Sequence, residues 1–210
     1  QYLLTATDEE GGVYVLGREG EEYVLVLGDQ SGRRTGRWEL TAKELPAESV
    51  PVRIYPAAGG AVYLGLYNTE EAQARLQLYR ITEKGRAAEL LLNEACTGEN
   101  LREQMASIRL SDFAEVDNVV TFALLEGEHA TFYQRVSANS GLEPLTQIQA
   151  TDIRAALALS DGNQVLATGD SLIRTDREEL PLEDGGRIIE FVQAGTGVYY
   201  VDGTTLVVFY

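Results

Sequence analysis

The sequence predicts an all-β propeller of four-stranded antiparallel blades, and three observations lead to that expectation. Short apolar runs rich in Val, Leu and Tyr recur between glycine turns along all 210 residues. A single segment, 97–106, carries a helical pattern instead. The strand after each first glycine turn begins at Val13, Val62, Val119, Val165 and Val198, a loose period with steps of 49, 57, 46 and 33 residues. Repeats of this size mark units that cannot cover both faces of their own sheet and must stack on their neighbours.

The elements follow in order. The first unit opens with "YLLTATD", continues through "VYVLGR" and "EYVLVLG", and closes with "GRWELTA". Its central runs are β-branched and aromatic, and the "EGE" between them is short enough for a hairpin. The second unit reads "VPVRIYPA", then "GGAVYLGLYNTEEAQARLQLYRITEKGR", then "AAELLLNE". The helical segment "TGENLREQMA" separates it from the third, built from "ASIRLSDFAEV", "VDNVVTFALLEGEHATFYQRVSANSG" and "LEPLTQIQA". A fourth runs from "RAALALSD" through "DGNQVLATGDSLIRTD" to "EELPLE", and a fifth holds "IIEFVQA" and "GTGVYYVDGTTLVVFY". Four strands per unit is a propeller blade. The count is nineteen strands: four complete blades and a fifth of three strands, in one domain spanning 1–210. The expected blades are roughly 1–45, 46–95, 96–150, 151–186 and 187–210. Second strands lie centrally, so Val13, Val15, Val62, Leu64, Val119, Phe122, Val165, Val198 and Tyr200 are the expected core.

Composition narrows the partners. Thirty-three acids against seventeen Lys and Arg give a formal charge of -16, which opposes nucleic acid and anionic lipid. No apolar run approaches the roughly eighteen residues needed to span a bilayer, so this segment is not expected to insert directly. Because the chain starts at Gln1, an upstream segment is expected to have been removed, and any signal peptide or membrane anchor would lie outside these residues. Cys96 is the sole cysteine, and its acidic neighbours Glu94 and Glu99 suit a small buried thiol better than a nucleophile.

Enzyme chemistry finds little support in the residue inventory. His129 is the only imidazole and sits in "EGEHATF", at a hairpin, where it reads as an exposed turn residue. Nucleophilic triads need a base beside the nucleophile, and zinc centres need several Cys and His. No phosphate-cradling or EF-hand pattern occurs. No catalytic residue is therefore assigned, although a hydrolase needs only two carboxylates, which the chain has in excess.

Gly12, Val13, Tyr14, Val15, Glu19, Gly20, Gly28, Ser31, Gly32 and Trp38 carry a family pattern: glycine turn, Val-Tyr-Val, acidic-glycine hairpin, aliphatic strand, Ser-Gly and Trp. That first blade resembles the repeats of the quinoprotein-like (PQQ-repeat) β-propellers. The match covers about one blade in five, and Trp38 is the only tryptophan. The second blade keeps the Val-Tyr and the Gly-Arg turn, and the others keep less. The resemblance implies a propeller in an extracytoplasmic bacterial protein, secreted or membrane-anchored. With the Trp pattern unrepeated, the quinone cofactor is not expected, nor is any other organic cofactor.

Charge partitions among the loops. In a propeller the loops joining second to third strands share one face with the loops between blades, and first-to-second and third-to-fourth loops share the other. All five second-to-third loops are acidic, and Glu21, Glu22, Glu70, Glu71, Glu128, Asp170 and Asp202 are the candidate binding residues. Glu19 and Glu126 flank the same tips. Arg33, Arg34 and Arg37, with Lys84 and Arg86, form an expected basic sector on the opposite loops. An acidic face of this kind would dock a cationic ligand, a basic protein surface or a divalent ion such as calcium. The expected function is a non-enzymatic, extracytoplasmic binding or sensory module of a larger bacterial protein. The alternatives are a protein–protein scaffold in an envelope assembly and a carboxylate-based hydrolase with a funnel active site.

Overall fold

The computed structural model describes residues 1–8, 10–135, 140–159, 162–176, 180–181, 188–194, 197–202 and 205–209, with side chains described through Asp176. Twenty strands and one α-helix occur among them. The strands form five antiparallel sheets in chain order, within two compact units, 1–107 and 108–210.

Unit one holds two four-stranded sheets. The first is β1 (Tyr2–Thr7), β2 (Val13–Glu19), β3 (Glu22–Gly28) and β4 (Arg34–Leu40), paired in that order. The second is β5 (Ser49–Pro56), β6 (Val62–Asn68), β7 (Arg75–Thr82) and β8 (Ala87–Ala95). β6 is buried on both faces along most of its length, whereas β4 alternates toward solvent, as expected for central and outer strands. Leu16, Leu25, Ile54, Val62, Leu64, Leu66, Tyr79 and Ile81 form one core cluster joining the two sheets, and Trp38 packs against it.

The helix α1 (Leu101–Ser107) starts later than the sequence pattern suggests, because Asn100 caps it. Its Oδ1 accepts from the Glu103 amide at 3.1 Å, and Glu103 Oε2 accepts from the Glu99 amide at 2.9 Å, so the two side chains together satisfy the helix start. Gln104, buried on this helix, accepts from the Ala74 amide at 2.9 Å and donates to the Ala72 and Gly98 carbonyls.

Unit two continues the pattern. The third sheet comprises β9 (Ile108–Leu110), β10 (Ala114–Val116), β11 (Val119–Glu126), β12 (His129–Arg135) and β13 (Glu143–Gln149). The fourth comprises β14 (Ala155–Ala158), β15 (Gln164–Ala167), β16 (Ser171–Arg174) and β17 (Leu180–Pro181). The fifth has three strands, β18 (Ile188–Ala194), β19 (Gly197–Asp202) and β20 (Thr205–Phe209). Small residues bring the third and fourth sheets together: Ala123, Ala130, Ala156 and Ala158 pack with Phe132, Leu125 and Leu166.

Two sequence expectations are corrected. The run 106–116, read as one strand, is two, because the ladder breaks at Ser111. There the Ser111 amide donates to the Ala123 carbonyl at 2.9 Å, and its hydroxyl accepts from the Ala123 amide at 2.7 Å. The side chain thus fills one backbone place and turns the chain; hence twenty strands rather than nineteen. Of the expected core, Val62, Leu64, Phe122 and Val165 are buried, while Val13, Val15 and Val119 are only half-buried. In the first blade Leu16 takes the inward place instead. Val198 and Tyr200 have side chains outside the described residues.

Candidate functional site

Loop sides follow the expected plan inside each unit. The Thr69 amide, in the β6–β7 loop, donates to the Glu48 carbonyl in the segment between the first two sheets. In unit two the Ala150 amide, beyond β13, donates to the Glu128 carbonyl at 3.0 Å.

The acidic candidates are all at hairpin tips. Glu21 lies in the β2–β3 turn and Glu22 opens β3; Glu70 and Glu71 lie between β6 and β7. Glu128 lies in the β11–β12 turn, Asp170 lies between β15 and β16, and Asp202 closes β19 with its side chain outside the described residues. The six whose side chains are described are exposed. Several tip carboxylates have local partners. Glu70 Oε1 accepts from the Ala47 amide at 2.8 Å. Asp170 Oδ1 accepts from the Thr168 hydroxyl at 3.0 Å. Neighbouring Glu19 is held by both nitrogens of the Arg37 fork at 3.1 Å. Among the described residues no three His, Cys, Asp or Glu side chains come together as metal ligands.

The basic sector is thinner than expected. Arg34 and Arg37 lie within β4 rather than in the loop before it, and Arg37 pairs with Glu19 and Glu39. Arg33 pairs with Asp29 at 3.2 Å, while Lys84 and Arg86 stay in and beside the β7–β8 turn. His129, the first residue of β12, is exposed. Cys96 is buried, and burial pushes its thiol up, away from the reactive thiolate.

A cavity opens at the other end of the first sheet. Register pairs Val13 with Gly28, so the β1–β2 turn and the β3–β4 turn lie side by side. Between them is an open cavity of about 520 Å³ whose lining includes Asp8, Glu10, Tyr14, Leu27, Asp29 and Thr35, with Gln30 and Ser31 beside them. Asp8 Oδ1 accepts from the Gly12 amide at 2.6 Å, tightening the first turn. Gly11, at φ +79°, has the Gln30 amide where a Cβ would stand, and that amide donates to the Glu10 carbonyl. The left-handed backbone at Gly11 favours glycine, and the Gln30 amide ties one turn to the other.

Polar chemistry lines the cavity. Burial, then the charge and hydrogen bond of Asp8, hold the Tyr14 phenol above its ordinary value, so it is a neutral donor beside a carboxylate. Asp29 is held below the ordinary 3.8 by the Ser31 hydroxyl first and the Arg33 amide next, with the Arg33 guanidinium adding to it. Asp152, in unit two, is likewise lowered by Arg154, at 2.8 Å, and by Arg109. Both displaced carboxylates move away from the protonated state a general acid needs.

Sequence reasoning missed this cavity because it counted acids at the second-to-third loops and only bases at the third-to-fourth loops, leaving out Asp8, Glu10 and Asp29. The signal was present as "DEEGG" and "GDQSGR", two Asp-initiated turns that close antiparallel pairing would set side by side.

No protein-family model and no curated protein matches the sequence. Among solved structures the chain is similar to a protein provisionally named as a gluconolactonase, with a TM-score of 0.59 and 10% identity over 98% of this chain and 72% of that one. It is similar to the Dos1 propeller at a TM-score of 0.58 and 10% identity, over 99% of this chain and 56% of that one. A protein of unknown function from Bacteroides caccae gives a TM-score of 0.54 and 12% identity over 96% and 70% of the two chains. The fold is an all-β propeller. Identities this low carry fold and leave function to the site.

Proposed function

We propose that this propeller is a non-enzymatic binding module whose ligand seat is the cavity between the β1–β2 and β3–β4 turns of the first sheet. One observation carries the reading: a cavity of about 520 Å³ that combines an aromatic wall, an aliphatic wall and convergent polar groups, as small-molecule seats do. Its walls are fixed before any ligand arrives, since Asp8, Gln30 and Asp29 are each tied into the turns they belong to. The downward displacement of Asp29 keeps that carboxylate ionised, which suits a binding group rather than a general acid. A sensory role outside the cytoplasm, in a larger bacterial protein, is supported by the resemblance of this same blade to the PQQ-repeat propellers. No helix among the described residues is long and apolar enough to cross a membrane.

The test is saturation-transfer NMR with a small-fragment library on the native chain and on Thr35→Trp. Thr35 lines the cavity and is exposed, so an indole there takes up cavity space without entering the core. Fragments that bind the native chain and are lost in the variant support the seat. Fragments retained unchanged in the variant place the ligand elsewhere and overturn it.

A further inference from the structure

Resting on that reading of the cavity, we propose the class of ligand: an organic cation with an apolar body, an amine whose ammonium is met by Asp8 and Glu10 while its carbon skeleton lies along Tyr14 and Leu27. Among the described residues the lining contains Asp8, Glu10 and Asp29 and no Lys or Arg. Arg33 compensates only Asp29, with which it shares a 3.2 Å ion pair. Two carboxylates therefore face the cavity without a cation in its wall, and an anionic ligand would add like charge to like. The chain's charge of -16 also raises the local concentration of cations over that of anions.

Shape selects within the cations. A bare metal ion needs several converging carboxylates, and among the described residues no such group exists. The cavity instead offers the half-buried Tyr14 ring and Leu27 beside the charge, surfaces that reward an apolar body and a cation over an aromatic face. The Tyr14 hydroxyl, hydrogen-bonded to Asp8, holds that carboxylate in place.

The experiment titrates 2-phenylethylamine and its neutral near-isostere 2-phenylethanol, by ligand-observed NMR, into the native chain, Glu10→Gln and Thr35→Trp. Glu10 is exposed in its turn, and only its main-chain carbonyl is used by Gln30, so Glu10→Gln leaves that tie intact. The expected result is that the amine binds, the alcohol binds at least about five-fold more weakly, Glu10→Gln weakens the amine about two- to five-fold, and Thr35→Trp abolishes it. Binding of the amine should also fall as sodium chloride rises from 50 to 500 mM, since the pair is solvent-accessible. Equal binding of amine and alcohol, both lost in Thr35→Trp, would overturn the cationic class while leaving the seat in place. Binding of neither probe, or binding untouched by Thr35→Trp, would overturn both.

Discussion

Replacing Gly85 with alanine should destabilise unit one more than any comparable glycine change in a free turn. Gly85 sits in the β7–β8 turn at φ +96°, and an added Cβ would lie 2.4 Å from the Glu39 carbonyl oxygen and 3.0 Å from its carbon. Both are backbone atoms of β4, so no side chain can swing aside. The Gly85 carbonyl also accepts from the Thr41 and Ala42 amides at 3.0 and 3.2 Å, tying the second sheet to the end of the first. The left-handed backbone costs an alanine about 1–2 kcal/mol. Displacing the turn weakens two hydrogen bonds worth about 1 kcal/mol each. The expected loss is about 2–4 kcal/mol. Gly20→Ala is the control, because Gly20 has φ +65° and nothing within 4 Å of the added methyl, leaving only the backbone cost. Urea melts followed by tryptophan emission suit the comparison, since Trp38, the sole tryptophan, packs on the core cluster of this unit. A Gly85→Ala loss no larger than that of Gly20→Ala would refute the close approach.

Val62, at 2% exposure, should cost about 1–3 kcal/mol on truncation to alanine, whereas half-buried Val119 should cost under about 1 kcal/mol, by denaturant melts. Asp29 and Asp152 are held below the ordinary 3.8 in the folded chain, so the stability they lend is complete above the unfolded value and is lost as pH falls through the folded one. Asp29→Asn and Asp152→Asn should therefore flatten the acid limb of a stability–pH curve, and an unchanged limb would contradict the assigned partners. Calcium should shift the melting temperature no more than ionic-strength-matched sodium chloride does. A calcium-specific rise would show that the exposed tip carboxylates assemble a site.

Much of the fold was legible because a central strand must hide both faces. The runs around Val62 and Val165 are apolar on successive residues, and each proved a buried inner strand. Period and glycine turns placed the sheets to within a few residues. What escaped depended on single side chains acting on backbone: Ser111 breaking a ladder, Asn100 delaying a helix, Leu16 replacing Val15 at an interface. None of these alters an apolar pattern. The site divides the same way. Acid at the hairpin tips could be counted from sequence, but not that Arg37 would reach Glu19 from within a strand, or that Glu70 would serve the Ala47 amide. The cavity depended on two turns distant in sequence being juxtaposed by register, which composition does not report.

The most direct measurement is a backbone amide NMR titration of the native chain with 2-phenylethylamine, because it asks each loop at once where a ligand goes. The expected result is that shifts concentrate at the Gly11, Gly12, Ser31 and Thr35 amides, in the two turns and strand edge that frame the cavity, and leave Glu21, Glu71 and Glu128 unmoved. Shifts gathered at those hairpin tips, with the cavity amides silent, would contradict the assignment of the seat.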